Sequence, residues 1–154
     1  MEQPLPPTLS FVDPSAGRRP RVLVVDDHPV NRQALRIMLG GRVELHEAVN
    51  GAEGLEAART WNFDAILMDL HMPVMNGPDA IRAIRDLEAG GSAHASIALM
   101  VPATVDGLDH LAQDCGADLY LARPLGEDAV LRVIDAAAPG RLGESGLSAL
   151  GAAA

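Results

Sequence analysis

The chain has 154 residues, of which 48% are apolar, 21% charged and 3% aromatic, so we expect one soluble domain with an aliphatic core. Its formal net charge of −9 argues against a nucleic-acid binder and against docking on an anionic membrane, because both functions need a basic surface. A single cysteine, Cys115, excludes an intramolecular disulfide and a cysteine-based zinc site. No apolar run approaches the roughly 18 residues of a membrane span, and no signal-peptide pattern opens the chain, so we expect a cytoplasmic location.

The two ends of the chain differ in composition from its middle. Residues 1–20 contain five prolines, which predicts an extended or disordered tail, because proline lacks a backbone donor and resists helix. Residues 139–154 are rich in glycine and alanine and predict a second flexible tail. The folded domain is therefore predicted to span residues 21–138.

The first predicted elements are a short strand and an amphipathic helix. The strand is the apolar run Arg21–Val25, and the helix begins at Pro29 and ends at Gly40-Gly41. Helical spacing places four apolar residues of this helix on one face: Val30, Ala34, Ile37 and Met38.

The same alternation continues to residue 138. Further strands are predicted at residues 43–49, 65–68, 97–101 and 119–122, and further helices at 51–61, 78–87, 106–115 and 127–138. The apolar residues that these helices should bury are Leu55, Ala58, Ile81, Ile84, Val130, Val133 and Ile134. Alternation of this kind predicts an α/β fold, a five-stranded doubly wound parallel sheet with helices on both faces. The uninterrupted apolar strands agree, because a central parallel strand is buried on both sides.

Three aspartates follow two of the predicted strands. Asp26 and Asp27 come after the first strand, and Asp69 closes the third. Ligands of such sheets bind at the carboxyl ends of the strands, so neighbouring strands would bring these carboxylates together. Converging carboxylates repel one another, and a hard divalent cation such as Mg²⁺ relieves the repulsion. The alternative is three helix-capping or loop aspartates on a solvated rim.

Three segments resemble the receiver domains of response regulators and occur in that family's order. They are VLVVDDHPVNR at residues 22–32, ILMDLHMPVMNG at residues 66–77 and YLARPL at residues 120–125. The resemblance covers about residues 21–138 and implies the flavodoxin-like receiver fold, a five-stranded doubly wound sheet.

The resemblance also implies roles for individual residues. Asp69 would be the phosphoacceptor, forming an acyl phosphate with a phosphoryl group from a phosphohistidine. The donor would be a sensor histidine kinase or a histidine phosphotransfer protein. Asp27 would bind Mg²⁺ directly and Asp26 through water, with Asp69 and the backbone carbonyl of His71 completing the protein ligands.

One departure from the family concerns the switch hydroxyl at the end of the fourth strand. Counting back from the Arg123-Pro124 turn puts the family's Ser or Thr on Val101, and a one-residue slip would put it on Met100 or Pro102. None of the three has a hydroxyl. Thr104, further along the chain, is the remaining hydroxyl that a distorted loop would have to supply.

Two further positions carry the rest of the switch. Arg123 stands where the family has Lys, and its planar guanidinium would either stabilise the phosphoryl group or clamp the carboxylates in an ion pair. Tyr120 matches the family's aromatic switch position, and without the hydroxyl it is equally well explained as a half-buried ring against the fourth helix.

Other residues near the proposed site have simpler interpretations. His28 is expected to cap the first helix and His71 to face solvent, while Cys115 is expected to be buried and inert. The methionines are expected to fill the core: Met68, Met72, Met75 and Met100. Arg18, Arg19 and Arg21 form a basic spot, which we interpret as a solvated linker, with an anion site as the alternative.

Three functions are compatible with the sequence. The favoured one is a stand-alone receiver that is phosphorylated on Asp69 and signals by interaction with another protein, whose identity the sequence leaves open. The second is a degenerate receiver that acts as an interaction module independent of phosphorylation. The third is an aspartyl-phosphate hydrolase of the haloacid-dehalogenase type, which needs an acid two residues after the nucleophile, where this chain has His71. Neither of the first two functions makes the chain an enzyme.

Overall fold

Five strands and five α-helices alternate along the chain in a computed structural model that describes residues 17–91 and 94–137. The elements are β1 Arg21–Val25, α1 Pro29–Leu39, β2 Glu44–Ala48, α2 Gly51–Thr60, β3 Ala65–Asp69, α3 Gly77–Ala89, β4 Ser96–Val101, α4 Leu108–Cys115, β5 Leu119–Ala122 and α5 Glu127–Ala137. The helix α1 ends before Gly40-Gly41, as predicted, and a short 3₁₀ turn follows at Gly40–Arg42. None of the helices in these ranges has both the length and the apolar character needed to cross a bilayer.

The strands form one parallel sheet in the order β2-β1-β3-β4-β5. The strand β1 therefore lies between β2 and β3, and its register pairs Val25 with Met68 of β3. The chain turns one way from β1 to β2 and the other way to β3, so the strand order switches at β1 and β3. This confirms the predicted doubly wound sheet and places Asp26, Asp27 and Asp69 side by side at its carboxyl edge.

Both faces of the sheet are buried under helices. Alternate residues of β1 point to opposite faces: Leu23 and Val25 pack with α2, α3 and α4, whereas Val22 and Val24 pack with α1 and α5. This two-sided burial explains why the strands are apolar without interruption. The residues of α2, α3 and α5 that were predicted to be buried do lie in or against these two layers.

The predicted apolar face of α1 does not face the sheet. Val30 and Ile37 are 75% and 74% exposed, and Ala34 is exposed as well. Leu35 and Leu39 fill the core instead, and of the predicted set only Met38 packs against it. Two apolar stripes run along this helix, and the contact with the sheet, rather than helical periodicity, decides which of them is buried.

The predicted tails fall mostly outside the residues that the structure describes, at 1–16 and 138–154. Residues 17–20 are described and contact the domain. Arg18 makes a two-bonded ion pair with Asp64, at 2.9 and 3.1 Å, and Arg19 donates to the carbonyl of Gly41. Arg21 pairs with Glu44 of the edge strand β2. Arg18 and Arg21 thus have acidic partners within the domain.

A glycine packs directly beneath the end of β3. The Gly77 backbone N–H donates to the carbonyl of Leu70 at 3.0 Å, which folds the β3–α3 loop back over the strand end. A Cβ atom at Gly77 would lie 2.1 Å from the carbonyl oxygen of Asp69. The loop that carries Asp69 into the site therefore closes only over a residue without a side chain.

We expect Gly77→Ala to lower the free energy of unfolding by about 3 kcal/mol or more, because the methyl group would overlap backbone that cannot move without shifting β3. Urea denaturation measures this loss. Gly41→Ala is the control, because a Cβ there meets no atom within 4 Å. Equal stability of the two variants would show that the loop has room that the structure does not show.

Candidate functional site

Three carboxylates meet at the carboxyl edge of the sheet. Asp26 is fully buried, Asp69 is 8% exposed and Asp27 is half-buried. One carboxylate oxygen from each residue lies within 4.8 Å of the other two. The convergence predicted from the sequence is confirmed, and the solvated-rim alternative is wrong for Asp26 and Asp69.

The backbone and side chain of Asp26 are held on several sides. Its N–H donates to the carbonyl of Ala48 on β2 at 3.1 Å, and its Oδ1 accepts from the backbone N–H of His28 at 2.9 Å. The side-chain amide of Asn31 lies 3.5 Å from the same oxygen. Arg32 donates to the Asp26 carbonyl oxygen at 2.8 Å. Polar residues at the start of α1 thus surround the first acidic residue.

The guanidinium of Arg123 bridges two of the three carboxylates. Its Nη2 donates to Oδ2 of Asp26 at 2.7 Å and to Oδ1 of Asp69 at 3.4 Å. The Arg123 backbone N–H donates to the carbonyl of Val101, which fixes the end of β5 against β4. The ion-pair clamp is therefore the arrangement that the structure shows for Arg123.

Burial and neighbouring charge act on Asp69 in opposite directions. Removal from water and then the Asp26 carboxylate raise the pKa of Asp69 above its ordinary value, whereas Arg123 lowers it. The net direction is upward, because the loss of hydration on burial is the largest of these effects on the pKa of Asp69. Asp69 therefore carries its negative charge at an energetic cost.

Asp27 leaves one buried oxygen without a hydrogen bond. Its Oδ1 has no donor, and Nε2 of His28 lies 3.8 Å away, beyond hydrogen-bonding distance. A buried polar atom without a partner is costly and calls for an explanation such as a bound ion. Three converging carboxylates, one of which has a buried oxygen without a hydrogen bond, match the oxygen-rich donor set of a hard divalent cation. The residues present therefore fit such an ion.

The sequence of this domain matches a known family over most of its length. Residues 22–135 match the response regulator receiver domain. The chain belongs to the receiver-domain family.

Curated relatives of this receiver domain include kinases and response regulators. The sensory/regulatory protein RpfC of Xanthomonas campestris is 34% identical over 123 residues, which cover 76% of this chain and 17% of RpfC. The nitrate/nitrite response regulator protein NarP of Escherichia coli is 34% identical over 123 residues, which cover 78% of this chain and 55% of NarP. The chain thus spans only part of the curated relatives that it matches.

Solved receiver domains share this fold. The receiver domain of the sensor histidine kinase PA1611 of Pseudomonas aeruginosa, with a magnesium ion coordinated in its active-site cleft, has a TM-score of 0.68 at 28% identity and matches over 77% of this chain and 96% of that one. The receiver domain of Ssk1 of Saccharomyces cerevisiae, crystallised with the histidine phosphotransfer protein Ypd1, has a TM-score of 0.71 at 25% identity, covering 79% and 91% of the two chains.

The residues predicted for the switch positions lie at the end of β4 and on β5. Val101 ends β4, pairs with Ala122 of β5 and is fully buried, so the end of this strand presents no hydroxyl. Thr104 is exposed in the following loop. Tyr120 is half-buried and packs against the core layer of α2, α3 and α4, in agreement with the packing interpretation.

Three of the remaining sequence expectations are confirmed, and a fourth is met only in part. His71 is exposed and Cys115 is buried at the end of α4, and the four methionines lie in or against the core. His28 is the N-cap residue of α1, but its side chain makes no capping hydrogen bond.

The helix α1 contributes two polar contacts to the site that were not predicted from the sequence. Asn31 and Arg32 are half-buried polar residues one helical turn from the acidic pair, and both contact Asp26. Their signal in the sequence was their position: they are the polar residues directly after the helix start that follows the two acids. Helical spacing alone did not reveal it, because polar residues in a first turn usually face water.

Asp69→Asn should raise the melting temperature of the metal-free receiver domain at pH 7, because it removes a buried charge. The pKa of Asp69 is raised in the folded state. Below the ordinary value of 3.8 Asp69 is protonated in both states and does not destabilise the fold, and the fold loses stability as the pH rises from 3.8 through the folded pKa. The gain from Asn should therefore shrink as the pH falls through the folded pKa of Asp69 and should be gone below 3.8. Thermal melts from pH 3 to 8 measure it.

The control for this experiment is Asp79→Asn, whose carboxylate is exposed on α3 and pairs with Arg82. That variant should show no gain at pH 7. A less stable Asp69→Asn at pH 7 would mean that the ion pair with Arg123 outweighs the desolvation of Asp69.

Proposed function

We propose that this receiver domain accepts a phosphoryl group on Asp69 from a phosphohistidine and signals by binding another protein. The observation that carries the proposal is the convergence of Asp69 with Asp26 and Asp27 around one buried, unpartnered oxygen. Asp69 keeps one carboxylate oxygen free to attack, because Arg123 at 3.4 Å from Oδ1 is its one side-chain hydrogen bond among the described residues, whereas both oxygens of Asp26 are hydrogen-bonded. The family match over residues 22–135 supports the same assignment.

In the proposed reaction, a carboxylate oxygen of Asp69 attacks the phosphorus atom of the donor. An O–P bond forms, the P–N bond of the phosphohistidine breaks, and the departing imidazole keeps the electron pair and takes a proton from water. The product is an acyl phosphate on Asp69. Asp69 must be ionised to attack, so the raised pKa of this carboxylate sets a lower pH limit for the transfer.

Asp26, Asp27, Asp69 and the backbone carbonyl of His71 would hold Mg²⁺, which neutralises charge on the transferring phosphoryl oxygens when bound. The magnesium ion in the PA1611 receiver domain supports this proposal. Arg123 would move its guanidinium from the carboxylates to the phosphoryl oxygens, which it can bind with two parallel hydrogen bonds. The carboxylate clamp is then the resting position of the same side chain.

The proposed donor is a sensor histidine kinase or a histidine phosphotransfer protein. The complex of the Ssk1 receiver domain with Ypd1 supports the second class, and the similarity to the sensor histidine kinase GacS of Pseudomonas protegens supports the first. The net charge of −9 supports a protein rather than a nucleic acid as the output partner, because phosphate contacts need a basic surface.

The second candidate function is an interaction module that works without a phosphate switch. Two observations favour it. Val101 offers no hydroxyl at the end of β4, and Arg123 already neutralises the carboxylates that a phosphoryl group and a cation would use. The two functions differ in whether Asp69 is phosphorylated and in whether phosphorylation changes the surface near Tyr120.

Incubation with phosphoramidate and Mg²⁺ should raise the intact mass of the chain by one phosphoryl group, because the P–N bond of this small donor resembles that of phosphohistidine. The label should be lost in alkali, as expected of an acyl phosphate. Asp69→Asn should abolish it, and Asp27→Ala should slow it strongly by removing a proposed ligand of Mg²⁺. Intact-mass spectrometry over time measures all three effects.

Asp64→Asn and Asp79→Asn are the controls for this assay, because both carboxylates lie away from the three-carboxylate cluster. A label that persists in Asp69→Asn contradicts the acceptor assignment. An unlabelled wild-type chain favours the interaction module.

Val101→Thr should enlarge the response to phosphorylation, because a hydroxyl bonded to a charged phosphoryl oxygen is worth roughly 1.5–3 kcal/mol. A two-state element moves only as far as its differential interaction energy allows, so the wild-type region around Tyr120 should shift only in part. The response is measured as the change in amide chemical shifts around Tyr120 when a beryllium fluoride mimic of the phosphoryl group is added, in the wild type and in Val101→Thr.

Val101→Ala is the matched control, because it changes the packing at the same position without adding a hydroxyl. It should leave the response as small as in the wild type. A full response in the wild type that Val101→Thr leaves unchanged would show that Arg123 or Thr104 replaces the hydroxyl.

A further inference from the structure

The guanidinium of Arg32 lies between α1, the end of β1 and the edge strand β2. Its Nη1 donates to the backbone carbonyl of Asp26 at 2.8 Å, and its Nε lies 3.5 Å from the carboxylate of Glu47 on β2. The side chain is only 16% exposed. A mostly buried cation thus sits against the backbone, rather than the carboxylate, of an acidic residue in the site.

Glu47 holds this guanidinium from the far side. Its carboxylate also accepts bidentate hydrogen bonds from Arg36, one helical turn further along α1, at 2.8 to 3.1 Å. Arg36 is exposed and is not hydrogen-bonded to Asp26. The two arginines therefore share one acidic partner, but only Arg32 reaches the site.

The Asp26 carbonyl belongs to the peptide group that also contains the N–H of Asp27. A peptide group is planar, so a hydrogen bond to its oxygen fixes the orientation of the whole unit. The preceding N–H of Asp26 is held by Ala48 at 3.1 Å. Together these bonds set where the backbone of Asp27 leaves the strand, and with it the direction of the carboxylate whose Oδ1 has no partner.

We propose that Arg32 is a positioning residue for the acidic pair: its hydrogen bond to the Asp26 carbonyl orients the Asp26–Asp27 peptide, and thereby sets the affinity of the site for a divalent cation. The effect on cation affinity rests on the proposed function, because it takes Asp27 as a ligand of Mg²⁺. Arg32 supplies no ligand atom itself. Replacement of residues that hydrogen-bond to metal ligands and orient them commonly lowers metal affinity by about 10- to 100-fold.

The test must separate this hydrogen bond from the charge of Arg32, because removing a cation would by itself favour Mg²⁺. The double variant Arg32→Met/Glu47→Gln removes one positive and one negative charge and leaves the net charge unchanged. The double variant Arg36→Met/Glu47→Gln makes the same change in charge and removes the same acidic partner, but it keeps Arg32 on the Asp26 carbonyl. The two variants therefore differ in that hydrogen bond and in the position of the lost cation. Loss of a cation next to Asp26 would by itself strengthen Mg²⁺ binding, which is the opposite of the effect expected from loss of the hydrogen bond.

Two measurements are made on the full chain. The first is the amide resonance of Asp27 in chelator-treated, metal-free protein, since this nitrogen is bonded to the Asp26 carbonyl carbon. The second is the dissociation constant for Mg²⁺ by calorimetric titration. The Arg32 double variant should move the Asp27 resonance and raise the dissociation constant by about tenfold or more, whereas the Arg36 double variant should do neither. Urea denaturation shows that both variants are folded.

Equal behaviour of the two variants in both measurements overturns the proposal, and so does a moved Asp27 resonance with an unchanged dissociation constant. If the Arg32 double variant does not fold, Arg32→Lys, whose single ammonium cannot bond the carbonyl and Glu47 as the fork does, replaces it in the same comparison. If the wild-type chain binds no Mg²⁺, the proposed function fails, and the Asp27 resonance alone decides whether Arg32 positions the peptide.

Discussion

Mutual repulsion among the carboxylates of Asp26, Asp27 and Asp69 is the constraint on which the rest of the site depends. Three negative charges within 4.8 Å of one another at a buried edge would be unstable without compensation. The guanidinium of Arg123 compensates two of them, and backbone and side-chain donors from the start of α1 surround Asp26. One buried oxygen of Asp27 is left without a hydrogen bond, so the charge balance of the cluster is incomplete, and a divalent cation would complete it.

The sheet prevents the carboxylates from relieving this repulsion by moving apart. The strands β1 and β3 are hydrogen-bonded neighbours, and helices bury both faces of each. The β3–α3 loop is closed over the end of β3 by Gly77, where no side chain fits. The aspartates therefore project from the ends of packed strands. The packing of the core keeps their carboxylates close together despite their repulsion.

The two departures from the family pattern act on different parts of the same process. The valine at position 101 leaves no hydroxyl to couple a phosphoryl group to the loop before α4, while the core around it stays filled. The arginine at position 123 keeps a positive charge at the site but spreads it over a longer, planar group that already spans Asp26 and Asp69. Under the proposed function, binding of phosphate and transmission of its effect would therefore depend on different residues of this domain.

The sequence by itself determined the fold and the identity of the acidic residues. Alternating apolar runs and helical patterns predicted all five strands and helices, and the motifs around Asp26, Asp27 and Asp69 predicted their meeting at one edge. The sequence did not decide which stripe of α1 is buried, because Val30 and Ile37 are seven residues apart and Leu35 and Leu39 four, and both are helical spacings. Only contact with the sheet distinguishes the two stripes. It also left open whether Arg123 clamps the carboxylates, and it gave no sign that Arg32 reaches the Asp26 carbonyl. Both contacts join residues whose separation depends on how helices and strands pack, which is a property of tertiary structure alone.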